Sequence, residues 1–157
     1  MIYVFDSGPL IVMFRHYYRN RFPSLWELFD EMIENGGIIS VREVKGELED
    51  KEDSLSEWVS ENSEIFLEAI PDEGLFVSQI FQIQHFQQLI SKKAQLKGKK
   101  VADPFVIAKA HSLGENGCVV TTEKLKPNAA QIPNVCEHFG VSWTNLEGFM
   151  RTEGWTF

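Results

Sequence analysis

The sequence predicts a single α/β domain over residues 1–157, three layers thick, with four or five short parallel strands sandwiched between helices. Three observations carry that expectation. Apolar runs without polar alternation stand at Met1–Phe5, Gly37–Val41 and Cys118–Thr122, as in strands covered on both faces. Helical periodicity separates these runs over stretches long enough for a crossover connection. No internal repeat, low-complexity tract or linker divides the chain, and 157 residues suit one hydrophobic core.

The elements follow in order. Met1–Phe5 is a buried strand ended by Asp6 and a Ser-Gly-Pro break, and Pro9 to Tyr18 reads as a helix with Pro near its first turn. A second helix starts at Pro23, shows Leu25, Leu28, Phe29, Met32 and Ile33 at helical spacing, and stops at Gly36-Gly37. After the strand at 37–41, Ser40-Val41-Arg42-Glu43 reads as a capping box opening a charged helix. A short amphipathic helix covers 54–62, Pro71 marks a turn, and a long glutamine-rich surface helix runs from Gly74 to about Leu96. A basic loop, Lys97 to Lys100, precedes an apolar helix from Asp103 to Gly114 and the strand Cys118–Thr122. Then come a loop at 128–133, a helical turn at 135–139, a strand at 141–144 and a final helix at 145–152.

Composition narrows the function classes. Hydrophobic content of 43% and charged content of 24% are those of an ordinary globular protein. No apolar run approaches the length of a membrane span, and the start lacks the basic residues and cleavage site of a signal peptide, so a cytoplasmic protein without membrane association is expected. Cys118 and Cys136 are too few for a disulfide framework, and no Cys/His cluster suggests zinc. Net charge of −8 argues against a protein that coats nucleic acid by charge alone. It leaves room for an enzyme that acts on nucleic acid through an acidic metal site, with local basic patches for the phosphates.

Carboxylates gather where a parallel sheet places its chemistry. Asp6 ends the first strand, and Glu123 stands in the same relation to the strand before it. Asp103 opens a helix just before Pro104, while Glu43 and Glu47 lie on the helix leaving the second strand and lean toward its start. Singly, each has a plain explanation as a cap or a solvated charge. Together at one sheet edge they repel one another unless a cation sits among them, and hard oxygen ligands suit Mg²⁺ or Mn²⁺.

The motifs, taken in order, resemble the PIN domain, the metal-dependent nuclease fold of VapC-type toxins. VFDSGPL matches its first motif, SVREVKGEL its second with Glu47 in the acidic position, VADPFVIAKAHSLG its third, and VVTTEK its fourth, with Glu123 where aspartate is usual. The resemblance covers residues 1 to about 125 and marks an outlying branch: no further acid follows Asp103 within a turn, and 54–100 is long. It implies an endoribonuclease in which Asp6, Glu47 and Asp103 bind Mg²⁺ or Mn²⁺, with Glu123 in support and Ser7, Glu43 and Thr121 orienting ligands or water. Candidate RNA-binding residues are Lys97, Lys99 and Lys100, beside Lys92 and Lys93, and a second patch of Arg15, Arg19 and Arg21 interleaved with aromatics. Candidate partners are an RNA substrate, a cognate antitoxin and a second copy of the chain. The rival reading is a PIN-like domain that no longer cuts but binds RNA or a protein. A phospho-aspartate enzyme is disfavoured by Gly8 two residues beyond Asp6, and a dinucleotide fold by the absence of GxGxxG after the first strand.

Overall fold

Five short strands pair in parallel in the computed structural model, which describes residues 1–49, 53–90 and 101–157. They are β1 (Ile2–Phe5), β2 (Ile38–Val41), β3 (Phe66–Leu67), β4 (Gly117–Val120) and β5 (Ser142–Thr144). Their order is β3-β2-β1-β4-β5, all parallel, so β1 is central and the chain reverses its direction of travel across the sheet between β1 and β4. Val4 registers with Val119 and Phe5 with Val120, so β1 and β4 end level.

Helices α1 (Ser7–His16), α2 (Pro23–Glu34), α3 (Arg42–Leu48), α4 (Asp53–Glu61) and α5 (Pro71–Gln82) precede α6 (Asp103–Ser112), α7 (Ile132–Phe139) and α8 (Leu146–Thr152). Parallel strands are joined by right-handed crossovers as a rule, so a strand order that runs both ways from β1 puts the helices on both faces and makes three layers. On one face Tyr3 and Phe5 meet α2 and α8: Phe5 packs edge-to-face on Phe29 at 5.7 Å and on Phe149 at 5.2 Å. Strand alternation turns Val4 to the other face, where α6 lies across β4, β1 and β2. No helix among the described residues is long and apolar enough to cross a membrane.

The layer formed by α5 and α6 is pinned by a buried ion pair. Lys109 Nζ lies 2.8 Å from Glu73 Oε1, with the side chains 8% and 2% exposed. Glu73 also accepts from the Ser112 hydroxyl (2.8 Å) and from the Ile70 N–H (3.2 Å), so it caps the start of α5 while gripping α6. Gly117 lets β4 approach this helix, since a Cβ there would strike the Ala110 carbonyl.

Three elements differ from the sequence expectation. The Ser40–Glu43 capping box does not form. Ser40 is the third residue of β2, its hydroxyl donates to the Phe5 carbonyl at 2.6 Å, and Val41 stands at the N-cap without a side-chain bond. The long helix expected over 74–96 starts earlier and breaks earlier. It spans Pro71–Gln82, then Ile83 turns extended (φ −87°, ψ 109°) and a 3₁₀ turn at Gln84–Leu89 buries Phe86 and Leu89. Residues 91–96 of that expected helix lie outside the described residues. Strand β3 had no counterpart in the sequence reading, because two residues carry no period.

Candidate metal centre

The level ends of β1 and β4 form the crevice at which the sheet changes direction, the place where open α/β sheets hold ligands. Asp6 leaves β1 there, its N–H bonded to the Val120 carbonyl at 2.9 Å. Thr121 to Glu123 leave β4 beside it, and α6 delivers Asp103 from its first turn. Gly8 permits the close approach: a Cβ there would collide with the Thr122 side chain. One carboxylate oxygen each from Asp6, Asp103 and Glu123 lies within 4.8 Å of the other two.

Asp6 does not act as a side-chain cap for α1. It is buried, its Oδ2 accepts from the Thr121 hydroxyl at 3.2 Å, and its Oδ1 is buried with no partner. Thr121 Oγ1 in turn accepts from the Glu123 N–H at 3.1 Å, so one fully buried hydroxyl fixes both carboxylate-bearing segments. Glu123 Oε2 accepts from the Ile132 N–H at 3.2 Å, at the first residue of α7. Glu47 reaches the margin of the cluster from α3, where its Oε1 accepts from the Ala102 N–H at 3.4 Å, next to Asp103. Ser7 contributes its backbone amide, which favours the ionised form of Asp6.

Among the described residues the carboxylates raise one another's pKa values, with no basic side chain among the causes. Burial, with the charges of Glu123 and Glu47, pushes Asp6 up to about 7, against the Ser7 amide and the Thr121 hydroxyl. Burial and then the charges of Asp6, Glu123 and Glu47 push Asp103 up to about 8. Burial also raises Glu123, opposed by its bond to Ile132. Such a cluster either shares protons or holds a cation. An octahedral Mg²⁺ or Mn²⁺ with oxygens about 2.1 Å away needs neighbouring ligand oxygens about 3–4 Å apart, so small side-chain movements suffice. The all-oxygen donor set and the unpartnered Asp6 Oδ1 fit such an ion.

The comparison with known families decides the affiliation. A family model described as "Domain of unknown function (DUF4411)" matches residues 3–157. The chain belongs to the DUF4411 family. No curated protein and no solved structure matches it.

Other sequence-predicted residues of this DUF4411 chain are placed differently. Glu43 is buried but is not among the charges that raise the cluster's pKa values; its Oε2 lacks a partner and its Oε1 lies 3.7 Å from Arg42. Arg19 is ion-paired to Asp30 at 2.7 Å and lies 4.5 Å over the Trp26 ring, so its charge is already matched. Arg15 is exposed. Lys97, Lys99 and Lys100, with Lys92 and Lys93, lie outside the described residues. Two contributors escaped the sequence reading, the amides of Ala102 and Ile132 that hold Glu47 and Glu123. For Ile132 the available signal was Pro133, which sits just inside a helix start.

Proposed function

We propose that this DUF4411 chain is a Mg²⁺- or Mn²⁺-dependent endoribonuclease of PIN-like design, working on RNA in the cytoplasm. What carries the reading is the meeting of Asp6, Asp103 and Glu123 oxygens within 4.8 Å at the sheet's switch point, with one Asp6 oxygen buried and unpartnered. The order of the four acidic motifs along the chain supports it independently.

In this account Asp6, Asp103 and Glu123 hold the ion, and Glu47 adds charge from α3 and positions the turn before Asp103. A divalent ion bound there supplies a water of lowered pKa and neutralises charge on the scissile phosphate. The chain's own part is positioning. Thr121 orients Asp6 and holds the Glu123 backbone, while the Ile132 amide occupies one Glu123 oxygen and leaves the other for the cation. Hydrolysis at such a site leaves a 3′-hydroxyl and a 5′-phosphate. A toxin role with a cognate antitoxin, and a homodimer, belong to the same proposal.

A second reading, a PIN-like domain that binds RNA without cutting it, is favoured by one observation. Glu123 stands in the aspartate position and is already bonded to Ile132. Incubating the protein with single-stranded RNA separates the two. The nuclease reading expects cleavage with Mn²⁺ or Mg²⁺ that stops with EDTA; intact RNA with tight binding favours the second reading.

A further inference from the structure

We infer that the groove between the 84–89 turn, the loop after Glu123 and α7 is a nucleobase subsite, which seats one base of the RNA beside the carboxylates. This inference rests on the RNA reading above and deepens it. The groove has a volume of about 550 Å³ and is lined by His85, Phe86, Asn128, Asn134 and His138 among others. That size is within the range of small-ligand sites, roughly 300–1,000 Å³.

One wall is built from the segment that carries Glu123 of the acidic cluster, the other from the 84–89 turn. Glu123 leads into the loop that contains Lys126 and Asn128, and the Ile132 amide that holds Glu123 lies two residues before Asn134 on α7. His85 Nε2 lies 3.2 Å from the Ala129 carbonyl and ties the 84–89 turn to the same loop. Asn128 takes a left-handed backbone (φ 58°), which bends the loop around the groove.

The chemistry of the lining selects a planar, neutral ligand with N–H groups. Asn134 Nδ2 donates to the Lys126 carbonyl at 2.6 Å, which fixes the orientation of its amide. The other end, Oδ1, is buried and accepts from nothing. A buried acceptor left in this state is unfavourable until a donor reaches it. Every nucleobase offers N–H groups on its edge, whereas phosphate offers none. Rings line the same groove: the exposed His138 meets the buried Phe86 edge-to-face at 5.3 Å, and the exposed His85 lies against Phe86 at 5.8 Å, so the two imidazoles are the surfaces open to a base. Unstacked bases settle on such surfaces. Glu137, which also lines the groove, accepts from the Trp143 indole through Oε1 at 2.9 Å and keeps Oε2 as a further acceptor for N–H groups.

Charge agrees with the direction of approach. Arg19, Arg42, Lys45, Lys109 and Arg151 are all engaged in ion pairs, whereas Arg15 and Arg21, on the distant α1–α2 segment, have no ion-pair partner among the described residues. Lys124 and Lys126, on the stretch joining Glu123 to the groove, have no ion-pair partner among the described residues and can meet the phosphates on either side of the base.

The test uses the full chain in EDTA, so that nothing is cut, and two fluorescent probes of equal length. One is a five-nucleotide single-stranded oligoribonucleotide and the other its abasic ribose-phosphate counterpart. The wild type is expected to bind the base-bearing probe at least about fivefold more tightly. His138→Ala, on an exposed side chain whose removal spares the core, is expected to erase most of that preference without changing abasic binding; Asn134→Leu is expected to do the same. Lys124→Ala with Lys126→Ala is expected to weaken both probes alike and flatten the salt dependence. Equal affinity of the wild type for both probes, or an unchanged preference in His138→Ala, overturns the subsite and leaves the RNA reading standing. A wild type that binds neither probe overturns the subsite, while the RNA reading is judged separately by the cleavage assay with Mn²⁺, because the metal-free carboxylates repel phosphate.

Discussion

A buried glutamate and a cluster of buried and half-buried carboxylates sit within one molecule and have opposite surroundings. Glu73, between α5 and α6, has every demand met by Lys109, the Ser112 hydroxyl and the Ile70 amide. Asp6, Asp103 and Glu123, at the ends of β1 and β4 and the start of α6, meet one another with no ion-pair partner among the described residues, and Asp6 keeps an oxygen unpartnered there. The same chemical group is a structural bolt in one place and an unfinished site in the other. The difference lies in the partners: a satisfied buried charge contributes to one fold, whereas an unsatisfied cluster stores repulsion that a ligand relieves.

The comparison breaks most sharply under neutral substitutions. Asp6→Asn is expected to lower RNA cleavage by at least about 100-fold, more than the loss of an outer contact to a metal ligand. Its melting temperature without metal should hold or rise, because one repelling charge has gone. Retained cleavage in a well-folded mutant would return Asp6 to a structural role.

Glu73→Ala should do the reverse. It strands Lys109 in the core, and breaking a buried pair from one side costs about 3–5 kcal/mol. Denaturant titration should show that loss, while the cleavage remaining in the folded fraction stays near wild type. Joint replacement of Glu73 by Gln and Lys109 by Met should recover much of the stability.

A pH titration sharpens the contrast further. Asp6 and Asp103 rise from 3.8 to about 7 and about 8 in the folded chain. A group raised by folding contributes stability that is complete below its unfolded value and is lost as pH climbs through its folded value. Metal-free protein should therefore lose stability from about pH 4 to pH 8. Millimolar Mn²⁺ should flatten or reverse that slope, because an ion bound only by the folded state stabilises it. Melting curves at several pH values, with and without Mn²⁺, read both effects.

The smallest effect is expected at Glu47. Glu47→Gln keeps an acceptor for the Ala102 amide and removes only the charge. Stability should change by less than about 1 kcal/mol, while metal affinity falls about 10–100-fold, as for an outer contact to the metal. Calorimetric titration with Mn²⁺ measures the affinity; an unchanged value would remove Glu47 from the centre altogether.

Which of these features the sequence made visible follows from how local their signals are. Asp6 and Glu123 mark the ends of apolar runs and Asp103 opens a helix, so a topology of parallel strands brings them to one edge before any coordinate is known. The parallel sheet was legible for the same reason. Ser40 departs from the expected cap because its hydroxyl reaches the Phe5 carbonyl across the sheet, a partner 35 residues away that no four-residue window contains. Glu43, freed from the expected capping box, is instead buried beside Arg42. The break at Ile83 owes nothing to Gly or Pro; burial of Phe86 and Leu89 in the next turn overrides an otherwise helical pattern. The Glu73–Lys109 bolt spans two helices and leaves no mark in either one alone.

The central claim, that the three carboxylates form a divalent-metal centre, is tested most directly by anomalous diffraction from crystals soaked in Mn²⁺. The account predicts a peak about 2.0–2.5 Å from oxygens of Asp6, Asp103 and Glu123, lost in crystals of Asp103→Asn. A fully soaked crystal with no peak between these residues, or with manganese bound only elsewhere, would contradict it.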